Sequence, residues 1–264
     1  MLTLEKVSYR YPGTARKVLR DIDLTLADGE VVGVVGANEA GKTTLALVCS
    51  ALAPKSVGGT LEGRVAVDGE DLVDRQMYEV AALVGICFQN PASQLSQVAD
   101  TVFEEVAFGA LNLGLDRLEV VRRTTAALEA LDIAALAERD PRRLSGGQMQ
   151  LVAVAGLLAM EPRHLVLDEP TAQLDPDGKQ LVVDALRRLA ANGTGLLIAE
   201  HDTDLLAGLC TRVVALEEGA IALSGATRDV LADERLIDLG VAPPADVGLR
   251  RELAAAGITI ELPS

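Results

Sequence analysis

Eight residues constrain this chain more than any others: Gly36-Ala37-Asn38-Glu39-Ala40-Gly41-Lys42-Thr43 matches the pattern G-x-x-x-x-G-K-[ST]. The residues before it, Glu30–Val35 (EVVGVV), form a β-branched run of the kind that makes a strand buried on both faces. The residues after it, Thr44–Leu52, have helical composition. Strand, glycine loop and helix together open a parallel α/β unit. Such a loop aims backbone N–H groups at a polyphosphate, and the helix start adds a positive dipole end. Lys42 is expected to reach the β/γ-phosphates and the Thr43 hydroxyl to hold Mg²⁺. A glycine turn with a chance lysine is the plain alternative, and the flanking strand and helix argue against it.

A triphosphate loop of this type needs a second metal anchor at the end of a buried strand. His164-Leu165-Val166-Leu167-Asp168-Glu169 supplies one. Asp168 is expected to hold the metal, and Glu169 to polarise an attacking water as general base. A further apolar strand, Gly195–Ala199, runs into Glu200-His201. A lone histidine after a strand is commonly structural, but His201 is placed to face a γ-phosphate. His164 has no such company and reads as structural. Leu144-Ser145-Gly146-Gly147-Gln148 opens a helix over Gly147–Met160. Ser145 is a good N-cap there, and the two glycines let a phosphate approach a second helix start. Alone, S-G-G-Q is a weak pattern.

Around these motifs, Leu2–Tyr9 and Ile22–Leu26 read as strands, Gly58–Gly69 as an edge hairpin, and Ala82–Phe88 as a buried strand. Helical patterns occupy Val102–Gly109 and Leu118–Leu131, and Val213–Leu223 reads as a hairpin turning at Glu218-Gly219. Beyond Gly240 a Pro pair precedes a short amphipathic helix. The formal charge is 24 − 39 = −15, a field that repels phosphate backbones and argues against nucleic acid as the main partner. The longest uncharged apolar run, Leu151–Met160, is half of the roughly 20 residues that span a bilayer. The chain starts without a basic, then apolar leader, so neither a secretory signal nor a membrane span is expected. Cys49, Cys87 and Cys210 lack C-x-x-C spacing and read as buried reduced thiols.

The full set, a phosphate loop, L-S-G-G-Q and a strand ending in Asp-Glu in that order, resembles the nucleotide-binding subunits of ABC transporters over about residues 1–225. The resemblance implies an α/β P-loop ATPase fold with an antiparallel β subdomain, a mostly parallel core sheet and an inserted helical subdomain at about 101–160. Residues 226–264 would be a C-terminal extension. It also implies nucleotide contacts from Gly36, Asn38, Gly41, Lys42, Thr43 and Thr44, and adenine stacking by Tyr11. Gln89 matches the glutamine that senses Mg²⁺ and the membrane partner, and His201 the switch histidine. Ser145, Gly146, Gly147 and Gln148, with Asp175 of Ala172-Gln173-Leu174-Asp175, would face ATP across a head-to-tail dimer of two such subunits. The stretch Gln89-Asn90-Pro91-Ala92-Ser93-Gln94, with Thr101–Gly109, is similar to the ATPases of energy-coupling factor importers, which take up vitamins or transition-metal ions. That likeness implies a transmembrane coupling subunit gripping residues 89–109. It also implies a substrate-binding membrane subunit reached indirectly, and a peripheral place on the cytoplasmic face of the membrane.

Glu39 departs from the family, which places Gly there. An acid in a phosphate cradle implies lost backbone freedom if the site wants positive φ, and repulsion with ATP; a side chain turned to solvent avoids the second cost. The departure leaves open a weaker or non-hydrolysing member of an asymmetric pair. Another importer or exporter, or a soluble ABC ATPase acting on ribosomes or DNA, are the remaining alternatives. Soluble relatives of that kind usually carry two cassettes or a coiled-coil insert with basic surfaces, and neither is present here.

Overall fold

A computed structural model describes residues 1–172 and 174–255; Gln173 and the last part of the extension, 256–264, lie outside the described residues. The strands are β1 (Leu2–Arg10), β2 (Leu19–Leu26), β3 (Val31–Val35), β4 (Thr60–Val67), β5 (Glu70–Asp71), β6 (Val84–Cys87), β7 (His164–Asp168), β8 (Gly195–Ala199), β9 (Arg212–Glu217) and β10 (Ala220–Ala226). The helices are α1 (Lys42–Cys49), α2 (Leu52–Lys55), α3 (Met77–Leu83), α4 (Val102–Asn112), α5 (Arg117–Ala130), α6 (Gly146–Met160), α7 (Pro176–Ala191), α8 (Thr203–Leu209), α9 (Thr227–Leu231), α10 (Arg235–Asp238) and α11 (Ala245–Ala255).

Two sheets organise these elements. A four-stranded antiparallel sheet has the order β2-β1-β4-β5, and a six-stranded sheet has the order β10-β9-β3-β8-β7-β6. The larger sheet is parallel throughout except for the β9–β10 hairpin. Side chains alternate between its faces with a period of two. Val31, Val35, Leu165, Leu167, Leu196 and Ile198 enter one core with α6 and α7. Val32, Val34, Val166, Leu197 and Ala199 enter the other, with α1 and the antiparallel sheet. Burial on both faces is why these strands are unbroken apolar runs rather than alternating ones.

The register sets the position of the site. Cys87 pairs with Leu167, and Ala199 pairs with both Asp168 and Val34. The carboxyl ends of β3, β6, β7 and β8 are therefore level, and the loops leaving them share one edge. Open parallel sheets bind ligands in the crevice along this edge.

Three expectations shift in detail. The strand expected over Ala82–Phe88 shortens to β6, because Ala82 and Leu83 finish α3, whose start carries a Gln76/Glu79 capping box. The segment expected as an edge hairpin at Gly58–Gly69 is mostly an inner strand, β4, paired along its length with β1; its antiparallel partner in the hairpin, two-residue β5, is the part that reaches this edge of the sheet. The helix expected at Gly147–Met160 begins one residue earlier, with Ser145 as its cap. The hairpin at Glu218-Gly219 is as expected, with both residues at positive φ, which matches a two-residue turn. The tail helix expected beyond Gly240 is α11, none of whose residues is buried.

Candidate functional site

The loop 36–43 leaves β3 and enters α1. Its glycines are required by space as well as by φ. A Cβ on Gly36 would lie 2.6 Å from the Leu216 carbonyl oxygen, and Gly41 sits at φ +110° with Val18 O at 3.2 Å from the Cβ site. The Lys42 ammonium is folded into this loop, donating to the carbonyls of Gly36 (2.7 Å) and Ala37 (3.0 Å). Burial lowers its pKa, while the charges of Glu169 and Asp168 oppose that shift. Thr43 stands at the loop's mouth. Asp168, buried at the end of β7, is raised in pKa by desolvation, against a hydrogen bond from Thr43.

Glu169 follows directly, at φ +50° with its N–H donating to Ala199 O (2.9 Å). Its two carboxylate oxygens are held from opposite sides. Gln89 Nε2 donates to one at 2.7 Å, and His201 Nε2 lies 3.1 Å from the other. Three loops from three strands thus converge on one carboxylate. A cavity of about 430 Å³ opens over it, lined by Asn38, Glu39, Gly41, Lys42, Thr43, Thr44, Gln89, Glu169 and His201, with Arg16 and Val18 at its rim. The Thr43 hydroxyl, the Asp168 carboxylate and the Gln89 carboxamide oxygen are the groups at this edge that could hold Mg²⁺, which takes oxygen ligands.

Tyr11 is half-buried beside this cavity: its hydroxyl is 3.1 Å from Thr44 Oγ1, and its ring meets Tyr9 edge-on at 5.1 Å. The remaining expected residues are not brought to the cavity within a single chain. Ser145 and Gln148 satisfy each other's backbone N–H in a capping box at the start of α6, with Gly146 and Gly147 half-buried between them. Asp175 caps α7 by accepting from Gly178 N at 2.8 Å. Glu39 is exposed and sits at φ +64°, so the loop does want the left-handed region at this position.

Sequence reasoning left unread the roles that two side chains play at this edge. Glu200 is almost fully buried and bonds both Thr171 and His201 N. Gln94 inserts its amide against the outer edge of β6, donating to Ile86 O (3.1 Å) and accepting from Phe88 N (3.0 Å). A polar residue next to an apolar strand end is the only signal Glu200 gives, whereas Gln94 closes the Gln89–Gln94 stretch without revealing what it bonds. His164 is structural as expected: it is fully buried at the opposite end of β7, and desolvation holds its pKa down to about 4. All three cysteines are free and buried, and burial pushes their thiols up to about 12.

The family model described as ABC transporter matches residues 19–172, more than half of the chain. An energy-coupling factor transporter ATP-binding protein of Symbiobacterium thermophilum is 40% identical over 266 residues, covering 98% of this chain and 90% of its own length. A cobalt import ATP-binding protein of Syntrophus aciditrophicus is 38% identical over 262 residues, covering 98% and 91%. Among solved structures, the ATP-binding cassette MJ0796, a dimer in a post-hydrolysis state with ADP and Pi, superposes with a TM-score of 0.76. It is 25% identical and covers 86% of this chain and 99% of its own. With a phosphate loop, an Asp-Glu strand end and a signature helix in one scaffold, this chain belongs to the ABC transporter family, as an ATP-binding subunit that hydrolyses ATP to power transport.

Proposed function

We propose that the chain drives an importer of the energy-coupling factor type, powering uptake of a vitamin or a transition-metal ion through a membrane partner. The observation that carries the reading is the grip on Glu169 by Gln89 and His201, because Gln89 begins the same segment that forms the expected partner surface. Between residues 89 and 109 the chain is stapled by its own side chains. Asn90 Oδ1 accepts from Ala92 N, and Glu105 accepts from both the N–H and the hydroxyl of Ser96. A groove of about 190 Å³ lies beside it, lined by Gln94, Leu95, Glu105, Phe108, Gly109 and Met160 among others. Val98 and Phe108 are exposed apolar side chains along this stretch, and Leu111 is another just beyond it. Apolar exposure on an otherwise acidic chain suits a short helix of a membrane protein and not a nucleic acid.

In the hydrolytic step Lys42 and the loop amides hold the triphosphate, and Tyr11 offers its ring to adenine. Glu169 takes the proton of the attacking water, with its orientation set by Gln89 and His201. Mg²⁺, held by Thr43, Asp168 and Gln89, would neutralise charge on the phosphates. Ser145, Gly146, Gly147, Gln148 and Asp175 serve the nucleotide of a second ATP-binding subunit, identical or paralogous; none of them lines this chain's own cavity, and this and the dimeric state of the related cassette support that assignment. We read residues 1–225 as the cassette, about 101–160 as its helical subdomain and 226–264 as an extension. Among the described residues no helix is long and apolar enough to cross a membrane. The subunit is then peripheral, held at the cytoplasmic face by its partner, with the substrate-binding membrane subunit reached only through it.

Purification of the tagged chain from membranes tests the assignment. The expected companions are a second cassette and a small multi-helix membrane protein, both lost when Phe108 and Leu111 are changed to Asp. Recovery of RNA or DNA, with no membrane protein, overturns it.

A further inference from the structure

We infer that Glu200 is a positioning residue for hydrolysis: its carboxylate clamps the segment that carries Glu169 to the segment that carries His201. The inference rests on the roles proposed above for those two residues. Glu200 is 4% exposed. One of its oxygens, Oε1, accepts from the Thr171 hydroxyl at 2.5 Å and from Thr171 N at 3.3 Å. The other, Oε2, accepts from His201 N at 3.1 Å. Thr171, itself buried, stands two residues after Glu169, so one carboxylate bridges the ends of β7 and β8.

Three observations assign the clamp to the reaction rather than to packing. Burying a carboxylate costs more than burying an apolar side chain, and among the described residues no Lys, Arg or His lies within salt-bridge distance of it. All its partners are donors, which only a group that accepts on both oxygens can satisfy; a glutamine would turn its NH₂ toward one of them. Glu169 also sits at φ +50°, a conformation that a glutamate holds only where its surroundings fix it. The Glu200–Thr171 bonds fix the exit from that residue, and the Glu200–His201 bond fixes the backbone of the ring that faces it.

The test compares turnover, ATP affinity and melting temperature of Glu200→Gln with the parent, and repeats Glu200→Gln in a His201→Ala background. Glu200→Gln is expected to lower kcat at least tenfold, while the ATP dissociation constant stays within twofold. On top of His201→Ala the further loss is expected to be under threefold, since the ring it positions is gone. Unchanged kcat, or a full tenfold loss repeated in the His201→Ala background, overturns the clamp. Thr171→Val, which removes only the hydroxyl donor, is expected to lower kcat in the same direction by a smaller factor. It decides the matter if Glu200→Gln does not fold, and unchanged kcat there overturns the clamp as well. Glu169→Gln separates this inference from the reading beneath it: a fall in turnover of about 10² is expected for a general base. Normal turnover in Glu169→Gln removes the reading of the site. A dead Glu169→Gln beside an unaffected Glu200→Gln removes the clamp alone.

Discussion

Of the three residues at positive φ in the 36–43 loop, Gly36, Glu39 and Gly41, only Glu39 carries a side chain. The left-handed region costs an ordinary residue about 1–2 kcal/mol, and glycine would recover this less about 0.5–1 kcal/mol of unfolded-chain entropy. The charge is exposed, so its repulsion of a phosphate a few ångströms away is on the order of 1 kcal/mol and is screened by salt. Glu39→Gly is therefore expected to leave the melting temperature nearly unchanged and to tighten ATP binding by less than tenfold, or 1.4 kcal/mol. A larger gain in a titration of the variant would show that the acid governs affinity. The sequence already raised both costs at this position, and the structure assigns their weights. Lys42, Thr43, Asp168 and Glu169 were equally legible, because each is fixed by a motif with a strand before it. Glu200 was not, since a carboxylate beside a histidine reads as solvated until its burial is known.

At the scale of elements, β6 is an outer strand of the large sheet and, among the described residues, has β7 as its only strand neighbour. Gln94 takes the place of a missing strand with its side-chain amide, donating to Ile86 O and accepting from Phe88 N. Two such bonds are worth about 1 kcal/mol each, and they hold Ile86 and Phe88, the latter immediately before Gln89. Gln94→Ala is expected to reduce kcat about three- to tenfold in a steady-state ATPase assay, with KM for ATP within twofold of the parent; an unchanged kcat contradicts this role. The doubly buried strands were plain in the sequence because their apolar runs are short and bounded by glycine or charge. The edge of the antiparallel sheet was not, because alternation in Gly58–Gly69 tells which face is buried but not which strand is the neighbour. The α3 helix escaped for a similar reason: seven residues with a single buried side chain, Val80, give little periodicity.

For the whole molecule, the parallel sheet collects Gly36, Gln89, Asp168, Glu169, Glu200 and His201 on one edge, although they span residues 36 to 201 in the chain. The net charge of −15 makes the local cradle of amides and one lysine the decisive counterweight for a polyphosphate. The residues at the start of α6 do not line that cradle, and their proposed service to the nucleotide of a second subunit rests on resemblance and not on spacing. Binding of ATP at the cradle is the claim on which the remaining roles depend. Calorimetric titration of the parent and of Lys42→Ala with Mg·ATP up to millimolar concentration tests it most directly. A saturable heat of association in the parent, weakened at least a hundredfold in Lys42→Ala, is the predicted result; no heat in the parent, or equal binding in both, contradicts the account.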